Sequence, residues 1–121
     1  MNPDEASVAD RLAAFDGRFD EILKLLSGRL PLGGEAKERA QLLLKELKAD
    51  LEAEYRRMAT VRGEAELTAA ERAYYLPAVH QAFADIHVKW NSVPNDAWVG
   101  NLYGARLSIS HMLHQLRRHD G

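Results

Sequence analysis

Residues 8–26 read VADRLAAFDGRFDEILKLL, and this stretch decides the fold. Its large apolar side chains recur at intervals of four, three, four, three and four residues, at Val8, Leu12, Phe15, Phe19, Ile22 and Leu26. This spacing places one continuous apolar stripe along an α-helix and is typical of helices that pack side by side. Residues 8–26 therefore predict one long helix with a buried face.

Three further segments carry similar apolar stripes. The second stripe consists of Ala40, Leu44, Leu47, Leu51, Tyr55 and Met58. The third consists of Leu76, Val79, Phe83, Ile86 and Trp90, and the fourth of Trp98, Leu102, Ala105, Ile109, Met112 and Leu116. Loop-forming stretches near 28–34, 63–66 and 91–95 separate the segments. The sequence predicts helices at 5–27, 35–62, 68–90 and 95–118, which form one all-α domain over residues 1–121. Short connections favour an antiparallel up-down-up-down four-helix bundle.

The composition agrees with an all-α protein and excludes several functional classes. The chain has 18 Ala and 17 Leu but only 6 Val, 3 Ile and 2 Thr, a balance that favours helices over strands. It has no cysteine, which excludes disulfide scaffolds, thiolate catalysis and cysteine-based zinc sites. The formal net charge of −2 lacks the basic excess of polyanion-binding proteins, so nucleic acid is not an expected partner.

No targeting or membrane signal is evident. The N-terminal residues 1–5, MNPDE, are acidic and lack the basic region and apolar stretch of a signal peptide. No apolar run approaches the roughly 18 residues that a transmembrane helix needs. We therefore expect a soluble cytoplasmic protein that does not bind membranes.

Charge and aromatic content divide the chain into two unlike halves. Residues 1–63 contain 23 of the 34 charged side chains, and residues 64–121 contain 11. The second half holds all five histidines and six of the nine aromatic residues. We therefore expect the functional residues to lie on the second helical hairpin.

The fourth segment is apolar around more than half of its circumference. Beyond its stripe it carries Val99, Tyr103, Leu107 and Leu113. Excess apolar surface on a bundle helix favours contact with another protein, and aromatic residues commonly anchor such contacts. The predicted interaction surface consists of Tyr74, Tyr75, Trp90, Trp98, Val99, Tyr103 and Leu107. The sequence favours a non-enzymatic binding module that associates with itself, as a dimer, or with a protein partner, and it predicts no cofactor.

Two local features of the second half carry separate predictions. Gly100, Gly104 and Ser108 form a stripe of small residues, and interior helix glycines each cost about 1 kcal/mol relative to alanine. We expect a neighbouring helix to approach closely along this groove. In the third segment, Thr68 and Glu71 have the spacing of a capping box, and Pro77 predicts a kink.

Two histidine-based alternatives remain open. Arg106 and His111 have the Arg-x4-His spacing of the last long helix in HEPN-type ribonucleases, which this segment resembles at these two positions, with Leu107 where that family has a polar residue. The resemblance implies a helical bundle in which His111 acts as acid or base and Arg106 steadies a phosphate. Alternatively, His80 and His111 could meet between antiparallel segments as metal ligands. The sequence commits to neither a catalytic nor a metal site.

Overall fold

The computed structural model describes residues 2–26, 34–60, 66–86 and 98–118. For residues 98 and 99 it describes only the backbone. Within these ranges no β-strand occurs. The α-helices are α1 (Pro3–Leu26), α2 (Gly34–Ala59), α3 (Leu76–Ile86) and α4 (Trp98–Arg118), and a π-helical turn at Glu71–Tyr75 runs directly into α3. The prediction of an all-α protein is confirmed. Among the described residues, no helix has both the length and the apolar character needed to cross a membrane.

The helix boundaries differ from the predicted ones for local reasons. The first helix begins at Pro3 rather than at 5, because Asn2 and Glu5 form a reciprocal cap that the sequence analysis did not identify. The amide of Glu5 donates to Asn2 Oδ1 at 2.8 Å, and the amide of Asn2 donates to Glu5 Oε1 at 3.3 Å. The second helix ends at Ala59, short of the predicted 62. The predicted helical residues 27, 61–62, 87–90 and 95–97 lie outside the described residues.

The core forms from the stripes of α1, α2 and α4. Every predicted stripe residue of α1 is buried, and so are those of α2 except Tyr55, which is half-buried. In α4, Leu102, Ala105, Ile109 and Leu116 are fully buried, and Met112 packs at the edge of the core. Heptad spacing therefore identified the packed faces of these three helices.

The third segment packs on a face that only partly matches the predicted stripe. Val79 and Ile86 are buried as predicted, whereas Leu76 and Phe83 are half-buried. Tyr75, Ala78 and Ala82 complete the buried face, and their spacing continues the α-helical pattern of Val79 and Ile86. A π-helical turn lies immediately before Pro77, and in it the amide of Leu76 donates to the carbonyl of Glu71. The kink at Pro77 stays a prediction.

The start of the third segment is held by a cluster of polar contacts. The predicted capping box is confirmed: the Glu71 amide donates to Thr68 Oγ1 at 3.1 Å, and the Thr68 amide donates to Glu71 Oε1 at 3.2 Å. The Ala70 amide donates to Asp4 Oδ2 at 3.0 Å, which ties the beginning of α1 to this turn. Arg57, near the end of α2, contacts Glu71 at 3.2 Å. The start of α1, the end of α2 and the start of the third segment therefore lie together, as alternating helix directions require, while the complete up-down-up-down order stays a prediction.

Ion pairs connect α1 to each of the other helical segments. Arg18 pairs with Asp50 of α2 at 2.7 Å, and Arg11 pairs with Glu71 of the π-helical turn at 3.1 Å. Arg106 of α4 contacts both Asp16 and Asp20 of α1, at 3.2 and 3.0 Å. These pairs fix which side of α4 faces α1 and which side is left facing outward.

Candidate interaction surface on α4

The outward face of α4 lies opposite its buried stripe and carries two exposed apolar side chains. Tyr103 is 56% exposed and Leu107 is 67% exposed. The two residues are four positions apart, so they are neighbours on the same side of the helix. At about 100° per residue, the residues within about 60° of Leu107 around the helix axis are Gly100, Tyr103, Gly104, Ser110, His111, His114 and Arg118. We call these seven residues together with Leu107 the α4 face.

The α4 face has little charge, because the charged side chain nearest its centre, Arg106, pairs with α1 instead. Between residues 98 and 116 the only charged residue is Arg106, which turns away from this face to pair with Asp16 and Asp20. These carboxylates hold the pKa of Arg106 above its usual value, even though burial alone would lower it. The guanidinium therefore stays charged and is committed to the α1–α4 contact.

Leu42 on α2 is a second exposed leucine, but the residues around it are charged. It is 58% exposed, nearly as much as Leu107. Its neighbours three and four residues away are Glu38, Arg39, Lys45 and Glu46, all charged. At the same offsets Leu107 has Tyr103, Gly104, Ser110 and His111. Only Leu107 therefore belongs to a continuous weakly charged surface.

The glycine positions of this face are open towards the described residues. Among those residues, a Cβ placed on Gly100 would meet nothing within 4 Å, and one on Gly104 would meet only Asp85 Oδ2 of α3, at 3.9 Å. Ser108, at the edge of the face, donates its hydroxyl to the Gly104 carbonyl at 3.3 Å. Within the described ranges no helix backbone therefore comes close to Gly100 or Gly104, which does not match the predicted close approach of a neighbouring helix along Gly100, Gly104 and Ser108.

Tyr74 and Tyr75, which were predicted to lie on the same surface as Tyr103, differ in burial. Tyr75 is 1% exposed and contributes to the core, so its assignment to an exposed surface is corrected. Its ring points inward on the same helical side as Ala78, Val79 and Ala82, and the Arg11 guanidinium lies 4.5 Å from the ring centroid. Burial raises the pKa of Tyr75 to about 12, and the negative charge of Glu54 adds to this. Tyr74 is half-buried and packs against the core.

Three residues of the predicted surface lie outside the description. Trp90 is outside the described residues. Trp98 and Val99 begin α4, but their side chains also lie outside the described residues. The described part of the predicted surface thus comes down to Tyr103 and Leu107, with Tyr74 on a separate segment.

The histidine candidates point in different directions. The ring of His80 stacks on that of Tyr55 in α2, with the centroids 5.1 Å apart, and Tyr55 also stacks on Phe83 at 5.8 Å. His111 is exposed, and a hydrogen bond of 3.1 Å joins its Nε2 atom to Gln115 Nε2. In the part of the chain that the structure describes, no group of three or more His, Asp or Glu side chains could hold a metal ion.

Arg106 and His111 lie on different sides of α4. Five positions on an α-helix correspond to about 140° around its axis, so the Arg-x4-His spacing itself sets this separation. Arg106 contacts α1, whereas His111 lies on the α4 face. The ribonuclease alternative stays a prediction.

Sequence reasoning missed two members of this region. His114 was considered only among the histidines, although helical periodicity alone places it on the α4 face. Asp85 of α3, whose carboxylate lies beside Gly104, had no signal in the sequence because the contact joins two helices.

Comparisons with known proteins identify no family: the chain matches no protein-family model, no curated protein and no solved structure.

Proposed function

We propose that this protein is a helical-bundle interaction module that binds a second copy of itself through the α4 face. The observation that carries the proposal is the pair of exposed apolar side chains, Tyr103 and Leu107, one helical turn apart on a surface with little charge. Burying such side chains against another protein is favourable at about 25 cal/mol per Å² of apolar surface. Depletion of charge at the centre of a contact is also typical of protein interfaces.

The open glycines support the same proposal. Two glycines in a helix interior weaken that helix, and no contact of the Gly100 position with the described residues explains the loss. A second protein that approaches the helix backbone would explain it, because a residue without a side chain allows close approach.

The small area of the α4 face also sets the expected affinity of the dimer. A contact confined largely to one helix face falls at the low end of specific interfaces, so we expect weak, concentration-dependent dimers.

The test is sedimentation equilibrium over a concentration series from about 1 µM to about 1 mM, the range in which weak dimers form. Wild type should shift from monomer to dimer across this series. Leu107→Glu should weaken dimerisation at least about tenfold, because a central apolar contact is replaced by a charge that must be desolvated. Circular dichroism should show unchanged helix content, since Leu107 is not a core residue.

The matched control is Leu42→Glu, which introduces the same charge at a similarly exposed leucine on α2. It should leave the dimerisation constant at the wild-type value. A wild-type protein that stays monomeric throughout the series contradicts the proposal, and so does an equal effect of Leu42→Glu and Leu107→Glu.

A further inference from the structure

Resting on the proposed self-association, we propose that the two copies of α4 pair antiparallel about a twofold axis near Leu107. The partner is therefore a second copy of this chain in one defined orientation. Each half of the α4 face then contacts the other half of the same face in the second copy. Two independent properties of the face, the sizes of its side chains and the distribution of its charges, favour this orientation over a parallel one.

Side-chain size divides the α4 face into two complementary halves. Gly100 and His114 lie seven residues on either side of Leu107, which is about 10.5 Å along the helix in each direction. Tyr103 and His111 lie four residues on either side, or about 6 Å. An antiparallel pair therefore sets His114 of each copy over Gly100 of the other, where a Cβ would meet none of the described residues within 4 Å. His111 of each copy falls beside the Tyr103 ring of the other.

In a parallel pair, each residue of the α4 face lies opposite the same residue of the second copy. It would set glycine against glycine at one end of the contact and imidazole against imidazole at the other. The first end would leave a gap and the second end would be crowded unless the helices diverged. Cores of protein interfaces are packed about as densely as protein interiors, so the antiparallel pair fits the side chains better.

The charges near the face are separated along the helix in the same way. Asp85 of α3 lies beside Gly104, and its Oδ1 atom accepts a hydrogen bond from Gln81 at 3.0 Å, which leaves Oδ2 towards α4. Arg118 is exposed at the opposite end of the helix. Antiparallel pairing places His111 of one copy within side-chain reach of Asp85 of the other and aligns the helix dipoles favourably. Parallel pairing would set Arg118 against Arg118.

The cysteine-free chain makes the orientation directly measurable. Gly100→Cys and His114→Cys are prepared as separate variants, one with an affinity tag so that the mixed product has its own mass. Each is oxidised alone and in an equimolar mixture at a concentration at which wild type is dimeric. A disulfide requires Cα atoms closer than about 7 Å, so antiparallel pairing predicts about tenfold more linked dimer in the mixture than in either variant alone. Gly17→Cys, on α1, is the matched control at an exposed helical glycine and should not cross-link.

The outcomes separate the orientation from the self-association itself. Efficient linkage within Gly100→Cys alone and within His114→Cys alone indicates parallel helices and overturns the orientation while the proposed function stands. A dimer in sedimentation that cross-links in none of these combinations also overturns it. A monomer at every concentration overturns the proposed function, and the orientation with it. Circular dichroism of each variant confirms that the bundle is intact before oxidation.

Discussion

At the scale of single residues, Glu71 has the most connected side chain in the described part of the molecule. It is only 7% exposed, yet it carries a charge. Burial would raise the pKa of Glu71, but hydrogen bonds from the Thr68 amide and from Arg11 and Arg57 outweigh this effect and hold the pKa below its usual value. The same carboxylate thus closes the helix cap and joins the third segment to α1 and α2.

The substitution Glu71→Gln separates these two roles. Glutamine can still accept a hydrogen bond from the Thr68 amide, as it does in many capping boxes, but it cannot form ion pairs with Arg11 and Arg57. We expect the free energy of unfolding to fall by about 1–3 kcal/mol, the cost of losing charge-assisted hydrogen bonds at a largely buried group. Urea unfolding followed by circular dichroism measures the loss.

The control for this prediction is Glu52→Gln on the surface of α2. Glu52 pairs with Arg56 at 2.7 Å, but the pair is exposed to solvent, so its loss should cost less than about 0.5 kcal/mol. Equal losses in the two variants would show that the Glu71 cluster is energetically no different from a surface pair.

Residue-scale prediction from the sequence reached only part of this cluster. The cap between Thr68 and Glu71 could be predicted because both residues lie on one local turn with a known spacing. The partners Arg11 and Arg57 could not, because they lie 60 and 14 residues away from Glu71 and meet it only after the helices pack. Tyr75 was assigned to the surface because it lies outside the predicted stripe of large apolar residues, although Ala78, Val79 and Ala82, at helical spacing from it, are buried with it.

At the scale of elements, α4 has a packed side and an outward side. Helical periodicity predicted the packed side, whereas the close helix contact predicted on the other side is not found among the described residues. The buried positions Leu102, Ala105 and Ile109 follow directly from helical spacing. The glycines were expected to contact a neighbouring helix, because periodicity identifies the buried side of α4 but not what lies against its other sides. Arg106 pairs with α1, and among the described residues Gly104 faces only the Asp85 side chain and Gly100 faces none.

The open glycines lead to opposite expectations for folding and for association. Gly100→Ala adds a methyl group that meets none of the described residues within 4 Å, so it should raise the free energy of unfolding by about 0.5–1 kcal/mol. The same methyl group occupies space that the proposed dimer gives to His114 of the second copy, so dimerisation should weaken. Urea unfolding at concentrations where the protein is monomeric measures the first effect, and sedimentation equilibrium measures the second.

Gly17→Ala is the corresponding change on α1, where a Cβ also meets nothing within 4 Å among the residues that the structure describes. It should give a similar gain in folding stability and leave dimerisation unchanged, because Gly17 lies on a different helix from the α4 face. If Gly100→Ala lowers the stability of the monomer, or if both variants weaken dimerisation equally, the open position of Gly100 does not have the role proposed for it.

At the scale of the whole molecule, the unequal halves of the sequence become complementary parts of one structure. The first half is rich in charge, and its α1 and α2 provide the ion-pair partners for Glu71 and Arg106 of the second half. The second half can therefore carry few charges and still be held by specific polar contacts. The same arrangement directs the charge of Arg106 inward and leaves the outward side of α4 largely uncharged, which is the property on which the proposed self-association depends.

This dependence on carboxylates predicts how the stability of the molecule changes with acid. The pKa of Glu71 is lowered in the folded protein, and a hydrogen bond from Lys24 helps to lower that of Asp20, which pairs with Arg106. A carboxyl group whose pKa is lower in the folded state adds stability above its unfolded pKa and loses that contribution as the pH falls through the folded value. The free energy of unfolding should therefore decline as the pH falls below about 4.5, the ordinary value for Glu71. Urea unfolding at a series of pH values between 7 and 3 measures the decline, which should be shallower in Glu71→Gln because that variant has no proton to bind at this position. Parallel curves for wild type and Glu71→Gln would show instead that other carboxylates control the acid response, and that the Glu71 cluster does not link the folding of the third segment to pH.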